Sequence, residues 1–202
     1  MEEQNNRVPR TLPVLHMNNV VMFPYLLMPL VVSDEESRQV IDYALSQDKT
    51  MAFFLDKDKT SPNDLGLNEI GCAVTILRML RNHDGSISLL LQGTSRIRLQ
   101  RAVQREPFII VDVESIPEPI DDDTEVRAYK SIAIELLEKI ATENNLISPE
   151  IIPGLNNIKQ SGRVADIIAG NLDLAVEDRQ AILEAIDLKK RFKYLNNCLA
   201  EM

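Results

Sequence analysis

Nucleophiles, bases and metal ligands are the residues through which this 202-residue chain could do chemistry, and they are sparse and scattered. The only histidines stand in different segments: His16 follows a short apolar run, and His83 adjoins Asp84-Gly85. His83 reads as a solvated turn residue, while His16 becomes a base or ligand only with partners that its neighbours in sequence do not supply. Cys72 and Cys198 lie far apart and are too few for a disulfide framework or a zinc site, so both read as buried thiols. None of the seven glycines precedes a lysine, so no phosphate-cradling loop is written here. Neither G-x-S-x-G nor H-E-x-x-H occurs. Asp121-Asp122-Asp123, next to two prolines, reads as a solvated charge run. No residue is assigned a catalytic, metal-binding or cofactor-binding role, and no cofactor is expected.

Binding chemistry has better candidates. Met22-Phe23-Pro24-Tyr25-Leu26-Leu27-Met28-Pro29 runs apolar between prolines that restrict strand pairing. A loop of that composition cannot hide every side chain, and contiguous exposed apolar surface marks interaction sites. Tyr25 and Leu26 are expected to be most exposed, with Leu27 or Met28 next; these four form the candidate polypeptide-binding set. The competing reading places the segment in a core, and it is the stronger one for Phe23 and Leu27. Arg96, Arg98, Arg101 and Arg105 form one basic cluster, without an aromatic stacking platform, and most simply coat a solvated strand. Lys189, Lys190, Arg191 and Lys193 most simply lie on the outer side of the last helix.

Composition bounds the class. The chain is 45% hydrophobic and 26% charged, as ordinary globular domains are. Its net charge of −9 disfavours broad contact with a phosphate backbone. No apolar run approaches the roughly 18–20 residues that span a bilayer, and MEEQNNRVPR lacks the apolar stretch of a signal peptide. Cytoplasmic residence is the default expectation.

These residues are positioned by two halves of different periodicity, expected as a β-rich unit over 1–118 and a helical unit over 119–202, joined by Pro117–Asp123. In the first, a strand region opens at Leu12-Pro13-Val14-Leu15. Ser33-Asp34-Glu35-Glu36 reads as a capping box for a helix with Val40, Ile41, Ala44 and Leu45 on one face. Met51–Leu55 is a buried strand, and Thr60–Asp64 a polar loop. Cys72–Leu80 and Ser86–Gln92 form a hairpin around Asp84-Gly85, and Phe108–Ser115 closes the section. Many short strands with one helix predict a small closed or half-open barrel. In the second half, Tyr129, Ile132, Ala133, Leu136, Leu137 and Ile140 recur at helical spacing. Ser148-Pro149-Glu150 starts a helix, Ser161–Ala169 forms another stopped by Gly170, and Val176–Ile186 a third. Leu188, Phe192, Leu195 and Leu199 make a heptad seam two repeats long.

An ordered series of short motifs carries a family resemblance over about Thr11 to Met202. Leu12–Leu15, Val20-Val21-Met22-Phe23-Pro24 and Met28-Pro29-Leu30-Val31-Val32 resemble the opening of the N-terminal domain of Lon-type ATP-dependent proteases. Asp64-Leu65 with Glu69–Ala73, His83-Asp84-Gly85 to Leu91-Gln92-Gly93, and Arg96–Leu99 are similar to its next stretches, in order. Ser161–Ala169, and Ala181–Asp187 followed by Arg191-Phe192, resemble its helical half. Asn18-Asn19 and His16 depart from the family's usual arginine-aspartate pair and proline.

The resemblance implies an α+β fold: a PUA-like β pseudo-barrel with one helix, then a helical bundle. It also implies recognition of unfolded or degron-bearing polypeptide and contact with the ATPase and protease domains and neighbouring subunits of a hexamer. Hydrolysis is expected elsewhere in the parent protease, and the chain is expected to be a fragment, its last helix cut. The alternatives are a standalone adaptor or scaffold of the same fold and, less favoured, a PUA-like RNA-binding module. Partners are expected to be unfolded or misfolded protein, not membrane or nucleic acid.

Overall fold

In the computed structural model, residues 8–57, 65–120, 123–144 and 151–202 are described. Six strands and six helices give an α+β chain, in two compact units that meet between Pro117 and Glu118.

The first unit holds β1 (Thr11–Met17), β2 (Leu27–Val32), α1 (Glu35–Ser46), β3 (Thr50–Leu55), β4 (Ile70–Arg81), β5 (Ile87–Gln104) and β6 (Ile110–Ser115). Pairing runs β5-β4-β3-β1-β6 and returns from β6 to β5, so five strands close on themselves. All pairings are antiparallel except β1 with β3, where Val14 lies beside Ala52 and Met17 beside Leu55. Closure explains why β1 and β3 read as unbroken apolar runs: both faces are buried. Leu12, Val14, Ala52 and Phe54 join one core cluster, while Leu15, Met51 and Phe53 join the other with Val40, Ile41 and Ala44 of α1. Gly71 sits where an added Cβ would overlap the Phe53 carbonyl, so β3 and β4 approach closely only without a side chain there.

The strand after Gly93, expected to be separate, is the continuation of β5. This one long strand serves two partners on the same edge. Its first part pairs with β2, from Leu27 beside Gln92 to Val32 beside Ile87. Its second part pairs with β6, from Ile97 beside Ser115 to Gln104 beside Ile110. The α1 cap also differs from the expected box. Asp34, not Ser33, is the N-cap, its Oδ1 accepting the Ser37 N–H at 2.8 Å. At the β4–β5 turn, Gly85 takes φ +82°, the backbone freedom expected there. The Thr60–Asp64 loop lies outside the described residues.

The second unit contains α2 (Thr124–Asn144), α3 (Ile151–Asn157), α4 (Ser161–Asn171), α5 (Val176–Glu184) and α6 (Leu188–Ala200). Its core takes Val126, Ala133, Leu137 and Ile140 from α2 and Val164 and Ile168 from α4. The expected α6 seam of Leu188, Phe192, Leu195 and Leu199 is buried throughout. Ile132 is exposed rather than inward, because Ala133 and Leu137 set the buried stripe. Gly170 does not stop α4, which runs to Asn171 with Leu172 as its C-cap. The Ser148–Glu150 start lies outside the described residues.

Candidate functional site: an apolar strand face and edge

The expected binding segment is built on a β-bulge. The Tyr25 N–H donates to the Gly93 carbonyl, and the Gly93 N–H donates to the Leu26 carbonyl, both at 2.9 Å. Two residues thus oppose one, and Tyr25 holds φ +69°, a left-handed position that favours glycine. Gly93 is required from the other side, since a Cβ there would overlap the Phe23 carbonyl. Phe23 itself is buried, as the core reading held.

This bulge sets which side chains emerge along β2. Tyr25 and Leu26 are half-buried, and Met28 is half-buried against the core beside α1. Leu27, for which the core reading had been the stronger, is 58% exposed. Beyond it, strand alternation turns Met28, Leu30 and Val32 inward and presents Leu27, Pro29 and Val31 outward, with Val31 62% exposed. Cross-strand register carries that outer face onto two more strands, because opposed residues share a face. Val31 lies beside Ser88, which lies beside Leu80; Pro29 lies beside Leu90, which lies beside Arg78. Leu80 is 62% exposed. Leu77 falls at the register shift between Ile76 and Arg78 and is 49% exposed.

Sequence reasoning missed Val31, Leu77 and Leu80. For Val31 the period-2 alternation from Leu27 was an available signal. For Leu77 and Leu80 the register shift breaks the alternation, and only the pairing of β4 with β5 brings Leu80 onto the β2 face.

The other expected groups separate. Arg96 is buried, contrary to the solvated-strand reading, where β5 runs between β4 and β6, while Arg98 is half-buried and Arg101 and Arg105 are exposed. The Arg101 Nε donates to the Asp112 Oδ2 at 2.8 Å, and the Thr11 hydroxyl donates to the Asp112 Oδ1 at 2.7 Å. The Thr11 and Arg101 hydrogen bonds hold the Asp112 carboxyl below the ordinary aspartate range. A depressed folded pKa contributes stability above the unfolded value of about 4 that is lost as pH falls through the folded one. Asp112→Asn is therefore expected to flatten the acid limb of the urea-midpoint profile below about pH 4, leaving the alkaline limb unchanged.

His16 gains partners that the sequence did not reveal: Asp56 Oδ1 lies 2.6 Å from Nδ1, and Glu36 Oε1 3.7 Å from Nε2. They line a cavity of about 320 Å³ with Asp34 and Ser37. Among the described residues, no group of three His, Cys, Asp or Glu is placed to hold a metal. His83 is an exposed turn residue, and Cys72 is buried, both as expected. Cys198 is half-buried rather than buried, and desolvation raises its thiol pKa.

Arg191 is a correction. It is fully buried, not on the outer side of α6. Its Nη1 lies 2.7 Å from Glu118 Oε1 and 3.4 Å from Asp166 Oδ1, and its Nε donates to the Ala185 carbonyl at 2.8 Å. Lys189 does reach the surface, where it bridges Asp123 and Glu125 at 2.7 Å each.

Leu27, Val31 and Leu80 thus stand exposed on one outer face of a closed barrel. The model of the substrate-binding domain of ATP-dependent protease La (LON) matches residues 11–201, and the chain belongs to that family. It is 33% identical over 202 residues to a Lon protease of Geobacter metallireducens, covering 98% of this chain and 24% of that relative. To the Lon protease of Escherichia coli strain K12 it is 30% identical over 196 residues, covering 96% and 25%. The chain thus spans about a quarter of the length of the curated relatives it matches. Among solved structures, the N-terminal domain of a Mycobacterium avium complex Lon protease superposes with a TM-score of 0.80 at 20% identity, over 95% of this chain and 98% of that one. A Lon N-terminal domain protein from Xanthomonas campestris gives 0.65 at 20%, over 92% and 96%. At that identity the two structures establish the fold. No helix among the described residues is long and apolar enough to cross a membrane.

Proposed function

We propose that the outer face of β2, β5 and β4 captures unfolded or degron-bearing stretches of polypeptide for a Lon-type ATP-dependent protease. Hydrolysis takes place in other parts of that enzyme, a cytoplasmic hexamer whose assembly this region assists. The observation that carries this reading is the set of exposed apolar side chains Leu27, Val31 and Leu80 on one sheet face. A folded protein hides such groups and an unfolded one does not, so an apolar receptor discriminates between them by what each leaves exposed. The family's description as a substrate-binding domain agrees with this use. Less favoured is an RNA-binding role, since Arg96 is buried and Arg101 is paired with Asp112.

The test places a photo-crosslinking benzoylphenylalanine at position 80 or, as control, at the exposed helical position 132. With a permanently unfolded polypeptide present, position 80 is expected to crosslink and position 132 is not. Equal yields at both positions would remove the β face as the receptor.

A further inference from the structure

The apolar face borders a row of main-chain groups that no strand occupies. β2 stands at the end of the strand order and pairs only with β5 among the described residues. In an antiparallel pair, successive residues alternate between turning both main-chain groups toward the neighbour and turning both away. The Leu26 carbonyl accepts from Gly93, so Leu26, Met28, Leu30 and Val32 are turned toward β5. Leu27, Pro29 and Val31 are turned to the open edge. Pro29 fits that phase, because it has no N–H to give β5. The residues whose backbone is open are therefore those whose side chains stand exposed on the outer face.

Natural edge strands are usually blunted by charge, proline or bulge. Here Pro29 sits mid-strand and the Tyr25 bulge precedes it, but no charged residue occurs from Met17 to Ser33. Leu27 and Val31 each keep a donor and an acceptor, and Pro29 keeps an acceptor. We propose that substrate polypeptide docks here as an added strand, pairing its backbone with Leu27 and Val31 while its apolar side chains extend the Leu27–Val31–Leu80 face. The proposal rests on the reading above and specifies how that site takes its substrate.

The occupant is an extended polypeptide rather than a second copy of the chain. Six residues of edge are about 20 Å long. Two such edges paired through their backbones cover far less than the ~800 Å² per partner of a stable interface. Two copies each of charge −9 also repel. An unfolded segment needs only transient capture and can also lay its side chains along the exposed Leu27–Val31–Leu80 face. Main-chain pairing tolerates any sequence except proline, as a receptor for varied substrates requires.

The test uses a short fluorescein-labelled peptide of alternating leucine and serine, titrated with this chain by anisotropy. Two further versions carry N-methyl groups on every leucine or on every serine. Strand addition in a fixed direction uses one set of N–H groups and leaves the other pointing to solvent. One methylated version, and only one, is therefore expected to lose affinity by about tenfold or more. Equal affinity for all three versions, or equal loss in both methylated ones, overturns strand addition while leaving apolar capture in place. If the unmodified peptide and an unfolded polypeptide both fail to bind, the functional reading falls with it.

Discussion

Arg191→Ala is expected to lower the stability of the helical unit by about 3–5 kcal/mol, the range for breaking a buried ion pair from one side. The substitution leaves the fully buried Asp166 carboxylate without its guanidinium and empties the buried space that the Arg191 side chain fills. It also releases Glu118, the first residue of that unit, and the carbonyl of Ala185 between α5 and α6. Urea unfolding followed by circular dichroism measures the change. Asp166→Leu combined with Arg191→Met and Glu118→Gln separates charge from packing, because it leaves no orphaned charge at the site. The combined variant is expected to be much milder than Arg191→Ala. A loss below about 1 kcal/mol for Arg191→Ala would mean that the network is solvated in solution.

Gly93→Ala is expected to cost about 3 kcal/mol, the upper end of overpacking effects. The atom that a Cβ would strike is the backbone carbonyl of Phe23, which cannot swing aside as a flexible side chain does. Relief requires Phe23 to leave its buried site or the bulge at Tyr25 and Leu26 to open. The second route shifts β2 against β5, so the variant should lose polypeptide binding as well as stability. Substitution of Gly154, where a Cβ meets nothing within 4 Å, is the control.

The elements were legible where one periodicity held over a whole element. The α6 seam of Leu188, Phe192, Leu195 and Leu199 is buried as its 3-and-4 spacing requires, and the turn at Asp84-Gly85 sits between β4 and β5. Arg191 was misread although its position carried a signal. It lies three residues after Leu188 and four before Leu195, on the seam itself, and its charge overrode its spacing. Arg96 was misread for a different reason. A strand's solvent exposure depends on which partners flank it, and the closure of β5 on β6 is a long-range event. The candidate site was half legible. The uncharged stretch from Met17 to Ser33 marked the region, but the αL conformation of Tyr25 shifted exposure from Tyr25 and Leu26 to Leu27 and Val31. Leu80 joins them only through cross-strand register.

The account rests on the outer face of β2, β5 and β4 receiving unfolded polypeptide. Its most direct test is fluorescence anisotropy of a labelled, permanently unfolded polypeptide titrated with the chain and with its Leu27→Ser, Val31→Ser, Leu80→Ser triple variant. The folded counterpart of the polypeptide serves as control. The account predicts micromolar-range preference for the unfolded form and a loss of about tenfold or more in the variant, since three exposed apolar contacts are removed. Undiminished binding by a variant whose circular dichroism matches the parent would contradict it.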